Sequence, residues 1–185
     1  MASGFSRTMG EAGNSKGIAA DDVRCIMRLA ISDSDWRLWM ATFSRTVTVD
    51  WTGSVTEGKG QVKAGTGAFS LPVTFPARIG EPAGHTSPEE LMAASHAACY
   101  AMALNGTIGR KGGSAARTLV TATVTADKTE SGIKLTTSKL TVVAEGLQGI
   151  EKSAFPDVAR EAEGKCPISN ALRGTMQIEV EAEAK

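Results

Sequence analysis

Residues 87–109 read SPEELMAASHAACYAMALNGTIG, and this stretch decides the fold. Ser87 is an N-cap residue, Pro88 suits the first helical position, and Glu90 stands three residues after the cap. That is a capping box with a helix-compatible proline, a strong start signal. From Leu91 to Leu104 the segment carries almost no charge. A helix apolar nearly all round is buried on most sides. Its alanines allow close approach of neighbouring backbones. The spacing predicts a long central helix to about Gly109, packed on a sheet or held between two subunits.

Upstream of this helix the period is two. Val47, Val49 and Trp51 alternate with Thr46, Thr48 and Asp50, which predicts a strand with one buried and one wet face. Thr52-Gly53, Gly58-Lys59-Gly60 and Gly65-Thr66-Gly67 read as turns. Between them lie short strands at Gln61–Ala64 and Ala68–Phe75, so three strands form an antiparallel meander. Downstream, residues 117–127 and 132–145 are Thr/Val-rich strands joined as a hairpin. The apolar phase slips between Ile133, Leu135 and Leu140, Val142, which suggests a bulge. Residues 153–163 read as a short surface helix, and PISNALRG as one or two further helical turns. In MQIEVEAEA the residues Met176, Ile178, Val180 and Ala182 alternate with Gln and Glu, a last strand. The order β-β-β-α-β-β-α-α-β is an α+β architecture.

The 185 residues allow one domain and an appendage. Residues 1–39 are expected to be an extension, largely disordered with a short amphipathic helix at 21–31, and residues 40–185 the folded domain. Twenty basic and 20 acidic residues cancel, with no basic run, which argues against a nucleic-acid partner. No apolar run approaches the ~18 residues of a membrane span, and the N-terminus has no secretory pattern. Three cysteines, Cys25, Cys99 and Cys166, are an odd, widely spaced set. That points to a reducing, cytoplasmic setting rather than a disulfide framework.

The chemistry-bearing candidates are few. Cys99 lies mid-helix, where cysteine also serves as a small hydrophobe. It is some three turns from the helix start, too far for the dipole to activate it, so a thiolate there needs a cation from elsewhere. Cys166 precedes Pro167 at a helix start, where free backbone N–H groups lower a thiol pKa, and by spacing alone it is the better nucleophile. Arg78 and Glu89 flank the loop before the helix, and either also reads as a solvated charge. Glu89 and Cys99 are ten residues apart, about 15 Å along one helix, so a loop or a second chain must bring groups together. His96, Cys99, His85 and Cys166 form a weak candidate metal set, since no ligand pair has zinc-motif spacing. Neither GKG nor GTG is a phosphate loop.

The segment TSPEELMAASHAACYAMAL, followed 67 residues after its cysteine by GKCPISNAL, resembles the OsmC/Ohr family of thiol-dependent hydroperoxide reductases, nearer the OsmC branch. The resemblance spans about residues 44–183. It implies antiparallel sheets around a long buried helix, in an intertwined homodimer with active sites at the subunit interface. It implies that Cys99 is the peroxidatic cysteine, Cys166 the resolving one, Arg78 the arginine that activates the thiolate, and Glu89 the carboxylate that holds it. The implied activity is reduction of organic hydroperoxides to alcohols, in defence against oxidative or osmotic stress. No cofactor is implied, only an external dithiol reductant of the lipoyl type. Met92, Met102, Phe69 and Phe75 are candidates for an alkyl pocket and equally for core. Two other readings stand beside this one: a non-catalytic dimeric protein that binds apolar small molecules, and a structural zinc protein.

Overall fold

The computed structural model describes residues 43–185. The expectations for residues 1–39, including the 21–31 helix and Cys25, lie outside the described residues. Three antiparallel strands come first: β1 (Val47–Thr52), β2 (Lys59–Ala64) and β3 (Ser70–Val73), in the order β1-β2-β3. Their register sets Val47, Val49 and Trp51 opposite Ala64, Val62 and Gly60, and sets Val62 and Gly60 opposite Leu71 and Val73. All of these lie on one face, as a period of two demands. That face is not buried within the chain as the alternation suggests. Val47 and Val49 are 52% and 54% exposed, and only Gly60 and Val62, on the central strand, are closed off.

Gly58-Lys59-Gly60 is not a turn. Lys59 and Gly60 belong to β2, and Gly60 lies directly opposite Trp51. A Cβ on Gly60 would stand 2.7 Å from the Trp51 ring, so glycine is there to admit the indole while the backbone stays extended. The reversal lies between the strands: it begins at Gly53, with φ of 92°, and is closed by the Gly58 N–H donating to the Ser54 carbonyl at 2.8 Å. β3 is shorter than its alternation implies. Phe75 does not extend it but opens a helical turn, α1 (Phe75–Ile79). The Thr74 hydroxyl accepts from the Ala77 N–H at 3.3 Å and Pro76 sits in the first turn, so capping overrides the strand pattern.

The central helix α2 spans Pro88–Arg110, and the Ser87 hydroxyl accepts from the Glu90 N–H at 3.1 Å. It packs on a second sheet of β4 (Arg117–Thr129), β5 (Gly132–Glu145) and β6 (Gln177–Ala184), in the order β4-β5-β6. β4 and β5 form the expected hairpin. Its register slips because Thr125 pairs with Thr137 while Ala126 pairs with Leu135, leaving Thr136 as the extra residue. This bulge puts both halves of β5 in phase with the core. β6 pairs with β5 in parallel, so the second sheet is mixed. The crossover through α3 (Phe155–Gly164) and α4 (Pro167–Leu172) makes that direction possible.

The core lies between α2, the inner face of β5, and α3. Tyr100, Leu104 and Ile108 from α2 meet Leu140, Val142 and Phe155 there. α3 is therefore more than a surface helix, since Phe155, Val158, Ala159 and Ala162 are buried along one side. The Tyr100 hydroxyl donates to the Ala159 carbonyl at 2.9 Å, tying α3 to α2. α2 is buried on that side only. Its opposite side, with Ala94, Ser95, Ala98 and Met102, is open, and Met102 is 71% exposed. No helix among the described residues is long and apolar enough to cross a membrane.

Candidate active site

Two groups of candidate residues form in the chain, at separate places. The first is an ion pair. α1 carries Arg78 in its last turn and α2 carries Glu89 in its first. Arg78 Nε donates to both Glu89 carboxylate oxygens at 3.1 Å, and Nη2 donates to Oε1. This fork-on-carboxylate geometry suits arginine and not lysine. The two side chains are 27% and 15% exposed. Burial pushes the Glu89 carboxyl up, but the Arg78 hydrogen bond, the backbone N–H and the guanidinium charge outweigh it, and the net shift is downward. The Glu89 hydrogen bond raises Arg78, against a smaller opposing effect of burial.

The second group is the thiol pair. Cys99 is half-buried on α2 and Cys166 is fully buried at the start of α4, and both are free thiols. Cys99 packs against the buried cluster that contains Cys166, and the Cys166 thiol is among the groups that act on it. Cys166 is the N-cap of α4: its Sγ accepts from the Ser169 N–H at 3.5 Å. Burial pushes the Cys99 thiol up, the Ile168 backbone N–H pulls it down, and Cys166 pushes it up again, for a net rise. Consecutive amides of one short helix thus act on the thiols: Ser169 N–H donates to Cys166, and Ile168 N–H favours the Cys99 thiolate. Arg78 is not among the groups that act on Cys99 within the chain. The reason is helix geometry: its partner Glu89 is ten residues, about 15 Å, along α2 from Cys99.

The candidate metal set does not assemble. His96 is fully buried and spends both ring nitrogens on hydroxyls, Nδ1 on Ser138 at 2.7 Å and Nε2 on Ser169 at 2.8 Å. Among the described residues no three His, Cys, Asp or Glu side chains gather as a ligand set. Ser138, Ser169 and the Ile168 amide are parts of the site that the sequence pattern does not point out. One signal does exist for Ser138. It occupies a core-facing position of β5, in phase with Leu140 and Val142, where an apolar residue belongs.

A small α+β protein with a free thiol on a long central helix and another capping the short helix packed against it is the class that the fold and geometry define. Comparison places it further. The OsmC-like protein family model matches residues 80–181. Peroxiredoxin OsmC of Escherichia coli (strain K12) is 34% identical over 131 residues, covering 70% of this chain and 90% of that protein. Organic hydroperoxide resistance protein OhrA of Bacillus subtilis (strain 168) is 34% identical over 98 residues, 52% of this chain and 66% of that one. The crystal structure of an organic hydroperoxide resistance protein from Elizabethkingia anophelis superposes with a TM-score of 0.61 at 28% identity, over 79% of this chain and all of that one. The chain belongs to the OsmC family.

Proposed function

We propose that this protein, through its domain at residues 40–185, is a two-cysteine peroxidase that reduces organic hydroperoxides to alcohols in a reducing, cytoplasmic compartment, as a stress defence. The observation that carries the reading is that Cys99 packs against the buried cluster that holds Cys166, 67 residues further along the chain. The printed names of the relatives, a peroxiredoxin and hydroperoxide resistance proteins, support it. Cys99, the more exposed thiol, attacks the O–O bond as thiolate. The alkoxide takes a proton and leaves as the alcohol, and Cys99 becomes a sulfenic acid. The Cys166 sulfur then attacks the Cys99 sulfur, a disulfide forms and water leaves. An external dithiol, of the lipoyl type, returns the pair to thiols by exchange.

The thiolate needs a cation that one chain does not bring to it. A second copy supplies one in this reading. Residue 94 is midway between Glu89 and Cys99, and Ala94 lies on the open side of α2. Two copies of α2 crossing antiparallel about a two-fold axis at Ala94 set Glu89, with its Arg78, opposite Cys99 of the other copy. The open apolar faces of α2 and of β1–β3 are then covered as well. The Arg78 guanidinium stabilises the Cys99 thiolate and the charge that grows on the departing oxygen. Phe69 and Met102, both exposed in the chain, are apolar groups available to the alkyl part of the substrate.

Intact mass after one equivalent of cumene hydroperoxide tests the reading. Wild type loses two hydrogens, Cys166→Ser gains one or more oxygens, and Cys99→Ser does not react rapidly. Rapid reaction of Cys99→Ser would refute the assignment.

A further inference from the structure

We propose that His96 is a positioning residue that holds α4 in the rotation at which Cys166 closes onto oxidised Cys99; this rests on reading the two cysteines as a redox pair. His96 is fully buried on the core side of α2, three residues before Cys99. It joins three elements. Nδ1 is hydrogen-bonded to Ser138 on β5 at 2.7 Å, and Nε2 to Ser169 on α4 at 2.8 Å. Ser169 in turn donates its backbone N–H to Cys166 Sγ at 3.5 Å. A continuous polar path therefore runs from the central strand, through the helix that carries Cys99, to the second sulfur.

The path has a reason to control α4. A helix of six residues has few internal hydrogen bonds and little rigidity of its own. Turning it by one residue, about 100°, would carry the Ile168 and Ser169 amides and Cys166 away from Cys99. Aliphatic packing penalises such a rotation weakly. Buried polar groups penalise it strongly, because each leaves an unpaired partner behind. A neutral imidazole has one donor and one acceptor, and hydroxyls on both sides match either tautomer. Burial keeps the ring neutral by pushing its pKa down, against an opposing pull from Glu163. Both ring nitrogens of His96 are spent on serine hydroxyls, so it acts on Cys166 through Ser169.

The closing step is attack of the Cys166 sulfur on the Cys99 sulfenic acid, giving the disulfide and water, with the Cys166 proton leaving in that water. Rapid-quench intact mass with cumene hydroperoxide separates this step from sulfenic acid formation. In folded His96→Asn and Ser169→Ala, closure slows about tenfold, the worth of one buried hydrogen-bonded tie, while sulfenic acid formation keeps its wild-type rate. The sulfenic species then accumulates, and the fraction over-oxidised to sulfinic acid at excess peroxide rises. His96→Gln, whose amide reaches the Nε2 position, recovers most of the closure rate, which a merely structural loss would not do. Closure at the wild-type rate in both variants overturns the inference. So does equal slowing of both steps, which marks general loss of structure. Failure of the wild-type protein to close any disulfide overturns the redox reading beneath it, and is seen without any variant.

Discussion

Ala94→Glu puts the proposed two-fold pairing to a direct test. Ala94 is exposed in the chain, so a carboxylate there meets water and costs a lone chain only the alanine-to-glutamate difference in helix propensity, a few tenths of a kcal/mol. At a two-fold axis the same residue faces its own copy. Two carboxylates about 5 Å apart at an effective dielectric of about 20 repel by roughly 3 kcal/mol. Forcing the longer side chains into a contact made for alanine adds about 1–3 kcal/mol. The expected loss is at least about 4 kcal/mol, or a dissociation constant raised about a thousandfold. Sedimentation equilibrium measures that constant, and a thermal melt checks that the separated chain stays folded. Peroxide turnover falls with association, because Arg78 no longer reaches Cys99. A mixture of Ala94→Glu with Ala94→Lys restores both, since opposite charges then meet at the axis. Wild-type association of Ala94→Glu alone, or a monomeric wild type with full turnover, would refute the reasoning.

Three further outcomes follow from geometry already described. Ser87→Ala removes the α2 cap and lowers stability by about 1 kcal/mol, read as a Tm lower by about 2–4 °C. Phe155→Ala empties a fully buried site between α3 and α2 and costs about 3–5 kcal/mol, read by urea unfolding as a lower midpoint at unchanged slope. The Glu89 carboxyl is held below its ordinary pKa, so the Arg78 tie contributes fully above the unfolded value of about 4.3 and is lost as pH falls through the lower folded value. The Tm difference between wild type and Glu89→Gln therefore shrinks as pH is lowered from 6 toward 3, and a difference that grows instead contradicts the assignment.

Much of this protein is decided locally and is therefore legible in one dimension. Ser87, Pro88 and Glu90 start α2 through bonds and angles spanning four residues, and the structure places its first turn there. The phase slip in residues 133–142 reports the Thr136 bulge, because a strand cannot change which face it buries without one extra residue. The N-cap position of Cys166 is likewise a local matter. Where two local signals compete the pattern misleads. Phe75 keeps strand alternation while Thr74 and Pro76 cap a helical turn, and Gly60 looks like a reversal although it makes room for Trp51 one strand away.

Tertiary structure alone decides what depends on distant chain segments. The parallel sense of β6, the packing of Cys99 against the cluster that holds Cys166, and the Ser138–His96–Ser169 path each join residues separated by 30 positions or more. The open apolar faces of β1 and α2 are the instructive case. Residue spacing specifies that these faces avoid water, because hydrophobic burial depends only on apolar area. What covers them is a matter of which surfaces meet, and no period of two or of 3.6 encodes that.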